Sequence, residues 1–254
     1  MTAMSSPAAP AWRAAVAQTL MELRLTSRRA ENVLVTLVVP VVVLLFFSSV
    51  SILPAAAGRP VDFLLPGVLA LAVISASFVN LGIATAFERS YGVLKRLGGS
   101  PLPRAGLIGA KILSVAIVEV AQVGLLGGIA VLGLGWAPGT GWQPVVALVA
   151  LILGTAAFAG LGLAMAGRLR AEATLAGANG LYLVFLLLGG IILPVDHLPG
   201  ALEPIARLLP AAALSDAVRV GLGNAAGDPI APLALLAGWA IGACAVAGAT
   251  FRWE

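Results

Sequence analysis

Few side chains in this sequence could do chemistry. There are two lysines, Lys95 and Lys111, one histidine, His197, and one cysteine, Cys244. Neither lysine stands in G-x-x-x-x-G-K-[ST], the segment whose amides and lysine cradle nucleotide phosphates. No H-E-x-x-H, paired-histidine or G-x-S-x-G arrangement occurs, so metalloprotease and serine-hydrolase chemistry lack their residues. One cysteine excludes an intrachain disulfide and a cysteine-based zinc site. The chain reads as no enzyme, with no metal or cofactor of its own. What remains is a polar set inside apolar sequence: Asn80, Glu119, Gln122, Asn179 and Tyr182. An ionisable residue within a membrane span is a functional candidate, here for a translocation path or an ion-coupling site. Glu119 is the member that carries charge. Its rival reading is structural: a carboxyl facing the bundle and hydrogen-bonding Asn or Tyr as glue. For the asparagines, glue is the favoured reading.

The elements that must position these residues are membrane helices. The chain is 60% apolar and 10% charged, with mean hydropathy +1.05. A soluble domain carries about a quarter charged residues. Six stretches reach the roughly 20 apolar residues a spanning helix needs: 32–53, 63–87, 107–134, 144–166, 174–193 and 230–250. Backbone in lipid must satisfy its own hydrogen bonds, so these are helices. The expected fold is an all-α polytopic membrane protein: a disordered segment at 1–10, an amphipathic interfacial helix at 11–30 and a six-helix transmembrane domain over 31–254. In the interfacial helix, Trp12, Ala15, Val16, Thr19, Leu20 and Leu23 recur at helical spacing. Ala55-Ala56-Ala57 resembles a signal cleavage site, but the preceding region is too long for a signal peptide, so the first span is read as uncleaved. Glycines such as Gly124, Gly127, Gly128, Gly154, Gly160 and Gly162 are read as close-packing surface.

Charge sets the orientation. Twelve of the fifteen basic residues fall before the first span, in the second connection or just beyond it at Lys111, in the fourth connection, or in the C-terminal tail. Arg59, Arg207 and Arg219 fall on the other side. The positive-inside rule then puts both termini in the cytoplasm of a multi-pass plasma-membrane protein. With the basic residues following membrane sidedness, no nucleic-acid partner is expected.

Two connections stand out. Between spans two and three, residues 87–106 read FERSYGVLKRLGGSPLPRAG. Tyr91, Leu94 and Leu97 offer an apolar edge, and Arg89, Lys95 and Arg96 a polar one. Gly98-Gly99-Ser100-Pro101 then breaks the helix. A short cytoplasmic helix of about two turns is one reading; a solvated basic loop is the other. Between spans five and six, residues 194–229 carry two apolar stripes, Leu202/Ile205/Ala206/Leu209 and Leu214/Ala217/Val218/Leu222. They predict two short external helices that lie on the surface or dip partway in.

With these segments in view, the chain resembles the type-2 permeases of ABC transporters, the group with daunorubicin-type antibiotic-resistance and polysaccharide exporters. The run Glu88-Arg-Ser-Tyr-Gly92-Val-Leu94-Lys95-Arg96-Leu97, followed by Pro101-Leu-Pro103, is similar to the family's E-x-x-x-G-x-L-K/R-x-L-x-x-x-P segment. The external helical pair and the entry helix match as well. Where the family often has Thr-Tyr after the proline matching Pro210, this chain has Ala-Ala. The resemblance implies a permease for a lipid-like, drug-like or glycan substrate. It implies a separate ATP-binding cassette subunit that holds ATP and magnesium, and a second permease copy or a relative completing the path. Membrane lipids are the remaining expected partners. It makes Glu88, Tyr91, Gly92, Leu94, Lys95, Arg96 and Leu97 the coupling site to that ATPase. Glu88 would pair with a basic residue of the coupling region or the entry helix. An ion-coupled secondary transporter using Glu119 and a non-transporting assembly protein are the alternatives.

Overall fold

The computed structural model describes residues 11–28, 30–49, 59–99, 102–137, 143–191, 194–223 and 227–251. The segment 1–10 expected to be disordered lies outside them. Eleven α-helices appear among the described residues: α1 (Ala11–Arg28), α2 (Ala30–Ser49), α3 (Pro60–Val73), α4 (Leu81–Ser90), α5 (Val93–Gly98), α6 (Arg104–Leu134), α7 (Gln143–Arg168), α8 (Ala171–Leu188), α9 (Glu203–Leu208), α10 (Pro210–Gly221) and α11 (Ile230–Thr250). A π-helical segment, Ile74–Asn80, joins α3 to α4, making one helix, Pro60–Ser90. With α6, α7, α8 and α11, it is one of five helices long and apolar enough to span a membrane. Beside these five stands a shorter apolar stretch, Thr36–Ser49 of α2. The far end of that span, expected at 53, is outside the described residues.

The centre of the bundle is α7, which packs against α11, α10, α4, α3 and the π segment. Such close packing needs small residues, because lipid tails leave no hydrophobic drive between helices. A Cβ on Gly160 would come within 2.8 Å of Ala243 and Cys244 backbone in α11, and one on Gly162 within 2.7 Å of the Phe78 carbonyl oxygen. The expected packing role holds for these and for Gly154, but not for Gly124, Gly127 and Gly128. Those three glycines of α6 face open space. Phe78, Phe158 and Phe185 pack edge to face with centroids 5.4–6.4 Å apart, in the geometry aromatic quadrupoles prefer.

Two placements differ from the sequence reading. Helix α10 does not lie on the external surface. It is enclosed by α3, α7 and α11, with Pro210, Ala211, Ala212, Ala213 and Leu214 all buried. The Ala-Ala pair after Pro210 is therefore part of the core, where small side chains admit close neighbours. Helix α9 stays outside, with Ile205 and Leu208 exposed. Second, the apolar stripe of α1 divides. Thr19 and Glu22 turn toward the bundle, whereas Trp12, Val16 and Leu20 are exposed. The helix buries a narrow polar and small-residue strip along α6 and leaves its large apolar side chains exposed.

Candidate functional site at the α4–α5 turn

Helix α4 ends at Tyr91, and Gly92 then takes φ +71° and ψ +13°, a left-handed conformation that suits glycine. This single residue redirects the chain into α5. A Cβ there would meet nothing within 4 Å, so the requirement for glycine lies in the backbone and not in space. Helix α5 has six residues, shorter than the two turns expected. Leu94 does not lie on an outward edge. It is fully buried with Leu102, Leu107 and Phe251, and Leu97, Ala14 and Ala15 pack against that cluster. The side chains facing out are Tyr91, at 73% exposure, with Val93, Lys95 and Arg96. An i, i+3 apolar pattern cannot tell an inward face from a partner-facing one, because both bury apolar surface.

Beside this cluster is a charge triad. Lys111 Nζ donates to Glu88 Oε2 at 2.6 Å and lies 2.9 Å from Glu22 Oε1. The lysine side chain is 1% exposed, and the glutamates are 11% and 14% exposed. Glu88 therefore pairs not with the coupling segment or entry helix but with the third span, and Lys111 brings in the entry helix through Glu22. Gln18 donates to the same Glu22 oxygen at 2.8 Å. One ammonium thus ties α1, α4 and α6 together. A buried charge needs such partners, since desolvating it alone is costly. Arg89 also donates to the carbonyl oxygen of Leu169, fastening the end of α4 to the connection between α7 and α8. The sequence held a signal for Lys111, an ionisable residue within an apolar span. It held none for Glu22, which is one polar residue among several on an amphipathic helix.

The intramembrane polar residues do not form one site. Asn80 Nδ2 donates to Thr36 Oγ1 at 2.9 Å, and Gln122 Nε2 to the Thr36 carbonyl oxygen at 2.7 Å. The π segment and α6 are thereby stitched to α2. Glu119 is buried against α7, where the Thr155 hydroxyl donates to it. Its expected Asn or Tyr partner is replaced by a threonine that the sequence reading did not single out. Asn179 is exposed and donates back to Leu175 of its own helix at 2.8 Å. Tyr182 is half-buried against the main core. No cluster of three or more potential metal-ligating side chains occurs among the described residues.

The comparisons with known proteins agree with this architecture. The family model described as "ABC-2 type transporter" matches residues 13–222. A protein of Bacillus subtilis (strain 168) named "Putative transport permease YvfS" is 26% identical over 203 residues, covering 76% of this chain and 79% of its own. The family model takes in most of α1, the α4–α5 turn and the enclosed α10, so five spanning-length apolar helices with a shorter sixth, a short helix mounted on their ends and the matching family model lead to one assignment: the chain belongs to the ABC-2 type transporter family, as the membrane-spanning permease that works with an ATP-binding subunit.

Proposed function

We propose that this permease is the membrane half of an exporter in which the outward face of α5 receives the stroke of the ATPase. The observation that carries this reading is the mounting of α5. Leu94 is buried, the Glu22–Lys111–Glu88 triad stands beside it, and Tyr91, Val93, Lys95 and Arg96 are left outward. A push on a surface mounted in this way reaches α1, α4 and α6 together. Apolar anchors such as Tyr91 and Val93 would supply contact area, and the basic residues would orient the partner. ATP and magnesium would be bound in the partner alone. Two copies of the chain, or this chain with a relative, would enclose a path for a lipid-like, drug-like or glycan cargo. Both termini would lie in the cytoplasm. In this reading Glu119 is structural, because Thr155 of the neighbouring helix holds it.

The test is recovery of the ATPase by affinity-tagged permease at matched expression. Tyr91→Asp and Arg96→Glu should each lower recovery about tenfold or more while the permease itself remains folded, in line with loss of an interface anchor worth about 1.4 kcal/mol or more. Full recovery with both variants would place the docking surface elsewhere.

A further inference from the structure

Helix α2 carries its own break. Pro40 lies inside it, and proline has no amide hydrogen to give the carbonyl four residues before it. That carbonyl belongs to Thr36. A backbone group freed inside an apolar membrane helix must find another partner, because water is not at hand. Here the partner comes from a different helix: Gln122 Nε2 of α6 donates to the Thr36 carbonyl oxygen at 2.7 Å. The side chain of Thr36 is held as well, its hydroxyl oxygen accepting from Asn80 Nδ2 at 2.9 Å. Asn80 is the last residue of the π segment. A proline break in one helix and a π turn in another thus meet at one residue, and both are places where helices bend.

The contact at Thr36 is not saturated. Gln122 is 1% exposed, yet its Oε1 has no hydrogen-bond partner among the described residues. Turning the amide over would set two oxygens face to face, so the bond to Thr36 leaves this acceptor unmet. A bond made at the expense of a buried acceptor is weakly held. Beside it lies a cavity of about 110 Å³ whose lining includes Thr36, Ala76 and Asn80, with room for a few waters. An opened Thr36 carbonyl therefore has a second place to find a donor.

We propose that Thr36–Pro40 is a hinge in α2 and that Gln122 is its latch, standing in for the amide that Pro40 lacks. While the latch is closed, a displacement of α1, which precedes α2 in the chain, is carried to α6. When it is open, the displacement is taken up at the hinge. Gln122 is a positioning residue in this device, and Asn80 steadies the hinge from the π segment. The hinge does not depend on where the ATPase docks, and its test uses neither ATP nor the ATPase.

The experiment is hydrogen–deuterium exchange of the purified full chain in detergent, followed on peptides that cover α2. Gln122→Met removes the donor at similar volume and should speed exchange in α2 about five- to tenfold, the loss of one hydrogen bond. Pro40→Ala returns an amide to the Thr36 carbonyl, so in that background Gln122→Met should leave exchange unchanged. Asn80→Ala spares the carbonyl and should act equally in both backgrounds. Equal acceleration by Gln122→Met with and without Pro40 would overturn the proposal, since Gln122 would then serve packing alone. No acceleration with Pro40 in place would overturn it too. So would rescue of Asn80→Ala by Pro40→Ala, because restoring the ladder would then compensate for any lost contact. If Gln122→Met alone yields no folded chain, the double variant with Pro40→Ala decides: folded protein at wild-type yield supports the latch, and failure to fold overturns it.

Discussion

Lys111 is the residue on which the packing of α1, α4 and α6 turns. Its ammonium faces Glu22 and Glu88 at 2.9 and 2.6 Å. Removing one partner from a buried ion pair costs about 3–5 kcal/mol, because the other charge stays behind unpaired. Lys111→Met leaves two such carboxylates and should cut the yield of folded protein and lower its thermal midpoint in detergent. Glu88→Gln should cost less, since an amide still accepts from the ammonium and Glu22 remains. Equal midpoints for wild type and Lys111→Met would mean that the triad contributes nothing to stability. Glu119 gives a contrasting case. Its contact is a neutral hydroxyl, Thr155, so Glu119→Gln should leave ATP-driven transport and expression nearly unchanged, because an amide can accept the same bond. A transport loss at full expression would instead make Glu119 a working group of the path. Thr155→Val should destabilise by about 1–3 kcal/mol by leaving the carboxyl without its donor, read as a fall in thermal midpoint.

At the scale of an element, α5 is too short to hold itself. Six residues make fewer than two turns, and isolated helices of that length do not persist in water. Its support is tertiary: Leu94 in the cluster with Leu102, Leu107 and Phe251, and the left-handed turn at Gly92. Leu94→Asp should therefore damage the chain's own packing around α5 before any partner is involved. Losing a buried leucine costs about 2–5 kcal/mol, and the aspartate adds an unpaired charge. Lower recovery of folded permease without the ATPase present is the expected readout. Gly92→Ala should cost about 1–2 kcal/mol from backbone strain alone, because a Cβ there has open space. Helix α10 is held differently. Arg219 donates to the Gly190 carbonyl oxygen at 3.0 Å and stands 4.7 Å over the Phe63 ring, and Ser215 donates to the same carbonyl at 3.1 Å. A charged residue on a helix read as external is thus an internal tie between α10, α3 and the end of α8.

For the whole molecule, sidedness is the property that charge alone can forecast. With Cys244 replaced, a cysteine at Ser100 should be labelled by impermeant reagents only after the cells are opened, and one at Gly200 from outside intact cells. Labelling of position 100 in intact cells would reverse the topology. Cys244 itself makes one weak contact, Sγ to the Ala156 carbonyl oxygen at 3.4 Å, so its replacement by alanine or serine should be tolerated. The purified chain should show no ATP hydrolysis of its own, since no phosphate-cradling loop occurs in its sequence.

The spans, the family and the existence of the α4–α5 turn were legible in the amino-acid sequence. They depend on local quantities: apolar run length, the side on which arginines fall, and a glycine followed by a proline-pinned break. Direction within the bundle was not legible. An apolar stripe records that a face is buried but not against what, so Leu94 looked like an anchor for a partner, and α10 could be read as lying on the surface or dipping partway in. In both cases the deciding contacts come from residues distant in sequence: Phe251 and Leu107 for Leu94, and α3, α7 and α11 for α10. The triad shows the same limit for charge. Glu22, Glu88 and Lys111 lie on three helices, and only their packing brings two carboxylates to one ammonium. Pairing energies depend on distance and burial, which the folded chain alone defines.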